Sequence, residues 1–172
     1  MKKMAVANLS SAYSVRILTE ADIPIIYQFC LTNPQYYHYH SIELSRELIY
    51  EDLTLLPPGK SGDDKYFVGF FDKTRRLIAV LDLIDGYPTE DTAYLGFFMV
   101  AAQESGKGIG SNIIDELCEK LLARGFHSVR LSYGKSNPQS SHFWQKNHFT
   151  AVREANHSKY GRMIVAERLL SV

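Results

Sequence analysis

Apolar positions along the chain fall into short strand-like runs separated by turn residues, and into one long stripe with helical spacing. Residues 14–18 (SVRIL) read as a first strand. Thr19 and Asp22 offer N-caps for a helix over 23–31, in whose first turn Pro24 is tolerated, and Asn33-Pro34 ends it. Residues 36–40 (YYHYH) are the densest aromatic cluster and read as a loop. A helix over 41–53 follows, with a breaker at Pro57-Pro58-Gly59. Runs at 66–71, 77–84 and 92–100 predict a three-strand meander, joined by the turn segments 72–76 and 85–88. Ile109, Ile113, Leu117 and Leu121 recur every four residues, with Ile114, Cys118 and Leu122 beside them, which predicts a long helix that Gly125 stops. A strand at 129–133, a helix at 139–146 and strands at 149–154 and 162–169 complete the chain. Helices interspersed with strands predict an α/β (α+β) fold, a single domain over 14–172 behind a flexible N-terminus, 1–13.

Between the third meander strand and the long helix lies Gln103-Glu104-Ser105-Gly106-Lys107-Gly108-Ile109-Gly110-Ser111, with glycines at alternate positions. Residues without Cβ let backbone N–H groups converge on a ligand, and a helix start adds unpaired donors and a positive dipole end. Phosphate or pyrophosphate is the natural guest, and a ligand-free glycine turn is the plain alternative. The dinucleotide fingerprint G-x-G-x-x-G does not fit glycines that run G-x-G-x-G. The P-loop pattern fails as well, because Thr54 stands where Gly59-Lys60-Ser61 requires a first glycine.

The segment resembles motif A of the GCN5-related N-acetyltransferases, Q/R-x-x-G-x-G/A, through Gln103, Gly106 and Gly108. A later block of that family, an Asn followed by a short helix ending in F-Y-x-K-x-G-F, is matched at Asn137, Phe143, Lys146 and Phe149. The resemblance runs from about Tyr13 to the C-terminus. It implies a GNAT-like domain with a mixed, twisted sheet of about six to seven strands and flanking helices. It also implies acetyl-CoA as co-substrate and direct acetyl transfer to a primary amine of a small molecule or peptide. By the same resemblance Phe98, Met99 and Val100 pair through their main chain with the pantetheine arm. Gly106, Lys107, Gly108, Ile109, Gly110 and Ser111 cradle the pyrophosphate, and Asn137 hydrogen-bonds the pantetheine. A homodimer is a further implication of the family.

Amine acetylation needs a held thioester, a neutral amine and a proton for the departing thiolate. The family's carboxylate positions correspond here to Tyr94 and Ser132, so its usual base is missing. Asp82, an acid within the apolar run LIAVLDLI, is the candidate base, its alternative being the solvent face of a half-exposed strand. Trp144 stands where relatives commonly have a Tyr; it can pack on the coenzyme but cannot protonate a thiolate. Tyr133, Tyr94 and the tyrosines at 36, 37 and 39 are the candidate acids. A sensor that binds acyl-CoA without turnover is the competing class, favoured by these missing groups.

Composition removes other classes. In the 172 residues, 19 basic and 19 acidic side chains cancel, so no overall field draws the chain to nucleic acid or an anionic membrane. Cys30 and Cys118 lie among apolar neighbours on predicted helices and read as free thiols of a reducing, cytoplasmic compartment. There is no apolar run of bilayer length and no signal-peptide core. The six histidines lack metal-ligand spacing, so no metal is expected.

Overall fold

The computed structural model describes residues 3–171. Seven strands, β1 (Ser14–Ile17), β2 (Lys65–Phe71), β3 (Leu77–Ile84), β4 (Thr92–Val100), β5 (Ser128–Gly134), β6 (Thr150–His157) and β7 (Gly161–Leu169), form one sheet in the order β1-β2-β3-β4-β5-β7-β6. Five helices flank it: α1 (Ile23–Cys30), α2 (Pro34–His40), α3 (Arg46–Thr54), α4 (Ile109–Ala123) and α5 (Pro138–Lys146). Among the described residues only β4 and β5 pair in parallel, because α4 carries the chain back across one face between them. The α/β class and the mixed sheet expected from the sequence are both present.

Each face of the sheet has its own core. On one, Ile113, Ile114, Leu117 and Leu121 of α4 pack on Leu81, Leu83, Leu95 and Leu131. On the other, Ile26 and Phe29 of α1 and Leu48 and Ile49 of α3 pack on Phe67, Val80 and Met99. β3, covered on both sides, is buried along its whole length, which is why its sequence reads as a continuous apolar run rather than an alternation.

The feature that makes a site is a parting of β4 from β5. Their pairing runs from Thr92↔Ser128 to Leu95↔Leu131 and goes no further. Opposite, Leu83 faces Leu95 while Asp82 faces Phe97, so Gly96 is an extra residue in β4. Such a bulge bends its strand and sharpens the local twist, which turns 97–100 away from β5 and leaves that edge without a neighbouring strand.

Two sequence expectations are corrected. Residues 36–40 are not a loop but the body of α2: Pro34 in the first turn is compatible with a helix start, and the helix ends at Ser41, which adopts φ 50°. The next helix begins at Arg46 rather than at 41, because Ser45 is its cap, accepting a hydrogen bond from the Leu48 amide at 3.1 Å. Within the N-terminal segment expected to be flexible, Leu9 is buried in the α4-side core, the Met4 amide donates to the Tyr66 hydroxyl, and Ser11 donates to Glu116 of α4, while residues 1 and 2 lie outside the described residues.

Candidate active site

The parted strands open into a cleft of about 640 Å³. Its walls are the end of β4 (Phe98, Met99, Val100), the glycine loop with the start of α4, one side of α5, and the α1–α2 connection with the first turn of α2, 32–36. That connection is clamped to the strand end: Asn33 Nδ2 donates to the Val100 carbonyl at 3.1 Å, and the Ala102 amide donates to Thr32 Oγ1 at 3.3 Å.

Two glycines give the loop its shape. Gly106 and Gly108 adopt φ 78° and 76°, a region other residues enter at a cost, and Gly108 is the N-cap of α4. No side chain caps that helix start, so its leading amides are not met by a local acceptor. A Cβ on either glycine would meet nothing within 4 Å, so the space over the loop is open. Uncapped amides, a positive dipole end and open space together suit a pyrophosphate. Glu104 at the cleft wall is held by Arg76 at 2.6 Å and Lys107 at 3.0 Å, and the Lys107 hydrogen bond holds its carboxyl below the usual range. Lys107 is thus engaged with Glu104 and does not line the cleft.

The α5 wall is aromatic. The Trp144 ring lies 4.8 Å from that of Phe143, 5.1 Å from Phe149 and 5.9 Å from Phe98, which ties α5 to β4. Asn137 caps α5, its Oδ1 accepting from the Ser140 amide at 3.1 Å, so only its Nδ2 remains to offer a ligand. Cys30 and Cys118 are both buried, and burial pushes each thiol up to about 11, which withholds the thiolate that covalent catalysis needs.

Across β4 from the glycine loop lies a second group of polar side chains. Asp82 is 7% exposed, and its Oδ2 accepts from Lys65 Nζ at 2.8 Å, while Lys65 also donates to the Leu55 carbonyl at 3.0 Å. Asp82 Oδ1 has no hydrogen-bond partner among the described residues. Burial pushes the Asp82 carboxyl up to about 6 against the pull of Lys65. Asp52 of α3 is pushed up to about 6 as well, by burial first and then by the charge of Asp82. Above them the Tyr36 ring meets Phe97 at 5.7 Å and His40 at 4.7 Å, and His40 meets Tyr160 of the β6–β7 turn at 5.3 Å. Burial raises both tyrosine hydroxyls and lowers His40, which keeps that imidazole neutral.

The acetyltransferase (GNAT) family profile matches residues 27–149, more than half of the chain. The chain belongs to the GNAT acetyltransferase family. No curated protein sequence matches it. Among solved structures, the GNAT chain is similar to an acetyltransferase from Thermus thermophilus at 20% identity and a TM-score of 0.75, over 92% of this chain and 97% of that one. It is similar to an acetyl transferase from Salmonella typhimurium that modifies the N-terminal serine of ribosomal protein L7/L12, at 17% identity and 0.72, over 95% and 98%. A spermidine N-acetyltransferase chimera of Vibrio cholerae SpeG and hSSAT matches at 17% and 0.68, over 93% and 96%. At these identities the likeness is one of fold.

In this GNAT domain the sequence-selected coenzyme residues converge: Phe98, Met99, Val100, Gly106, Gly108, Ile109, Gly110, Ser111, Asn137 and Trp144 all line the one cleft. The catalytic candidates do not converge. Asp82, Tyr94 and Tyr133 are not in the cleft wall. The Tyr94 hydroxyl is hydrogen-bonded to Ser132 Oγ at 3.0 Å, and Tyr133 is buried in the α4-side core. Burial raises Tyr94, which makes it a poorer acid. The sequence reading missed Asp52 and Tyr160, which sit on α3 and in the last hairpin and carry no local signal; His40 belongs to the aromatic cluster 36–40 that it singled out. Among the described residues no group of His, Cys, Asp and Glu is arranged for a metal, and no helix is long and apolar enough to cross a membrane.

Proposed function

We propose that this GNAT domain transfers the acetyl group of acetyl-CoA directly to a primary amine. The observation that carries the reading is the single cleft in which an unpaired strand edge, 97–100, meets an uncapped helix start behind two left-handed glycines. Extended pantetheine needs the first and a pyrophosphate needs the second. When bound, acetyl-CoA supplies a thioester whose acyl carbon bonds to the amine nitrogen as the thiolate leaves.

Each part of the cleft has its own task in this reading. Main-chain groups of Phe98, Met99 and Val100 hold the pantetheine as an added strand would. Amides from Gly106 to Ser111 hold the pyrophosphate, and Asn137 Nδ2 and the Trp144 ring close the α5 side. Asp82, beside the bulge at Gly96, takes the proton of the attacking nitrogen: a carboxylate with its pKa near 6 is ionised at neutral pH, and its free Oδ1 lacks a donor. Trp144 offers no acidic proton, so the thiolate, itself of pKa about 8.5, is protonated from solvent. Two structural relatives are named for spermidine and for a protein N-terminal serine, so amine acceptors of both kinds fall within the proposal.

A non-catalytic acyl-CoA sensor is the second reading, favoured by the absence of Asp82, Tyr94 and Tyr133 from the cleft wall. Calorimetric titration with acetyl-CoA together with thiol release over a panel of amines separates the two. Binding with release from one acceptor supports the transferase; binding with no release from any acceptor replaces it by the sensor.

A further inference from the structure

The wall of the coenzyme cleft carries little charge for a site that would hold a polyanion. Of Lys, Arg, Asp and Glu side chains, the described residues contribute two to it, Glu104 and Lys146, and these cancel. Glu104 is the anomaly, because an acid stands just ahead of the two left-handed glycines, where the coenzyme's phosphates would arrive. A 3₁₀ turn over Ala102–Glu104 fixes its place, with the Glu104 amide donating to the Ala101 carbonyl at 2.9 Å.

Two cations are held on this carboxylate. Arg76 Nη2 donates to its Oε1 at 2.6 Å and Lys107 Nζ to its Oε2 at 3.0 Å, so each oxygen has its own partner. Arg76 is aimed by the turn before β3: Asp72 Oδ1 accepts from the Thr74 and Arg76 amides at 2.8 and 3.0 Å, and Asp72 Oδ2 accepts from Arg76 Nε at 3.2 Å. Lys107 leaves the chain between Gly106 and Gly108. The Glu104 side chain is 13% exposed, whereas those of Arg76 and Lys107 are 50% and 59% exposed, and neither cation lines the cleft. The cations therefore sit behind the acid, half in water, gathered by one anion. Two oxygens of a single anionic group that accept from a guanidinium and an ammonium make the contacts that a phosphate makes.

We infer that Glu104 is a built-in substitute for a coenzyme phosphate: it keeps Arg76 and Lys107 together in the free protein, gives them up to a phosphate when the coenzyme binds, and so sets coenzyme affinity below what the two cations alone would give. This rests on the coenzyme reading above. In the free protein the acid offsets the mutual repulsion of two neighbouring cations. On binding, its charge opposes the incoming phosphate, so it weakens affinity while it keeps the geometry ready. A Glu104 that served only to shape the loop would have the opposite sign, since its loss would loosen the site.

The test titrates acetyl-CoA into the full chain by calorimetry, at low ionic strength and again at high salt. Glu104→Gln keeps the size of the side chain and one acceptor oxygen while removing the charge. Its Kd should fall by about fivefold or more at low ionic strength, with a steeper salt dependence than the unaltered chain and a gain that shrinks at about 1 M salt. In a Lys107→Gln background the same substitution should gain less, because one of the two released cations is missing. Dephospho-acetyl-CoA, which lacks the 3′-phosphate, separates the two sources: a gain kept with it assigns the handover to the pyrophosphate, and a gain lost assigns it to the 3′-phosphate. Unchanged or weaker binding in Glu104→Gln, or an equal gain with and without Lys107, would overturn the handover and leave the transferase standing. Failure of the unaltered chain to bind acetyl-CoA would overturn the coenzyme reading itself.

Discussion

Asp82 and Gly96 share one small space: a Cβ added to Gly96 would stand 2.6 Å from Asp82 Oδ2. The glycine supplies the extra residue of the β4 bulge and the room for a buried carboxylate beside it. Gly96→Ala should therefore push the carboxylate off Lys65 or force the strands apart. Overpacking of this kind costs about 1–3 kcal/mol, and urea denaturation should show it together with a fall in turnover. An alanine variant of normal stability and rate would mean that Asp82 moves freely and is not positioned by the bulge.

The raised carboxyl of Asp82 sets a pH dependence. Activity that needs the ionised form should fall as pH drops through about 6. Asp82→Asn should slow the reaction at neutral pH by about tenfold or more and remove that acid limb, with little change in coenzyme affinity. A pH–rate profile of unaltered shape in the variant would exclude Asp82 as the base.

Asp52 makes a matching prediction for stability. Its folded pKa, about 6, lies above the ordinary 3.8, so its proton-linked contribution is fully present below about pH 4 and lost as pH rises through 6. Asp52→Asn should accordingly stabilise the free protein at pH 7 by about 1–2 kcal/mol, with the gain vanishing in acid. Thermal melts of both proteins across this window check the sign; a variant less stable at pH 7 would show that Asp52 already has a cationic partner.

Gly108 separates backbone shape from ligand space. Gly108→Val puts a β-branched residue at φ 76° and should cost about 1–2 kcal/mol of stability as well as coenzyme affinity. Asn tolerates the left-handed region, so Gly108→Asn should keep its melting temperature and still lose about tenfold or more in acetyl-CoA affinity, because its side chain enters the space above the loop. Undiminished affinity in Gly108→Asn would remove the loop from the coenzyme site.

Trp144 joins α5 to β4 through Phe98 and to the start of the last hairpin through Phe149. Trp144→Ala should destabilise by about 3–5 kcal/mol, and Trp144→Phe by less. If the ring also packs on the coenzyme, Trp144→Phe should weaken acetyl-CoA binding more than stability alone explains, as calorimetry and denaturation on the same preparation would reveal.

The glycine loop, the helical stripe of α4 and the apolar meander could be read from the chain because their signals are local. A run such as TAYLGFFMV ahead of Q-x-x-G-x-G states its strand, turn and helix within 20 or so residues. The β4, loop and α5 walls of the cleft were legible for the same reason, since each carries its residues in one short segment. Two boundaries were misread where a local signal had two meanings: Asn33-Pro34 both ends α1 and starts α2, and Ser45 caps a helix that an eye on hydrophobicity alone would begin earlier.

By itself, then, the order of residues determined the element sequence, the family and the glycine loop, because periodicity and turn chemistry act over a few residues. The tertiary structure alone decided which distant side chains meet. Asp52, Asp82, Tyr36, His40 and Tyr160 lie on α3, β3, α2 and the last hairpin, more than 100 positions apart at their extremes, and no periodicity links them. Only the closing of β5 onto β7 brings Tyr160 to His40, and only the bulge at Gly96 gives Asp82 its place, because long-range packing sets which distant charges are desolvated together.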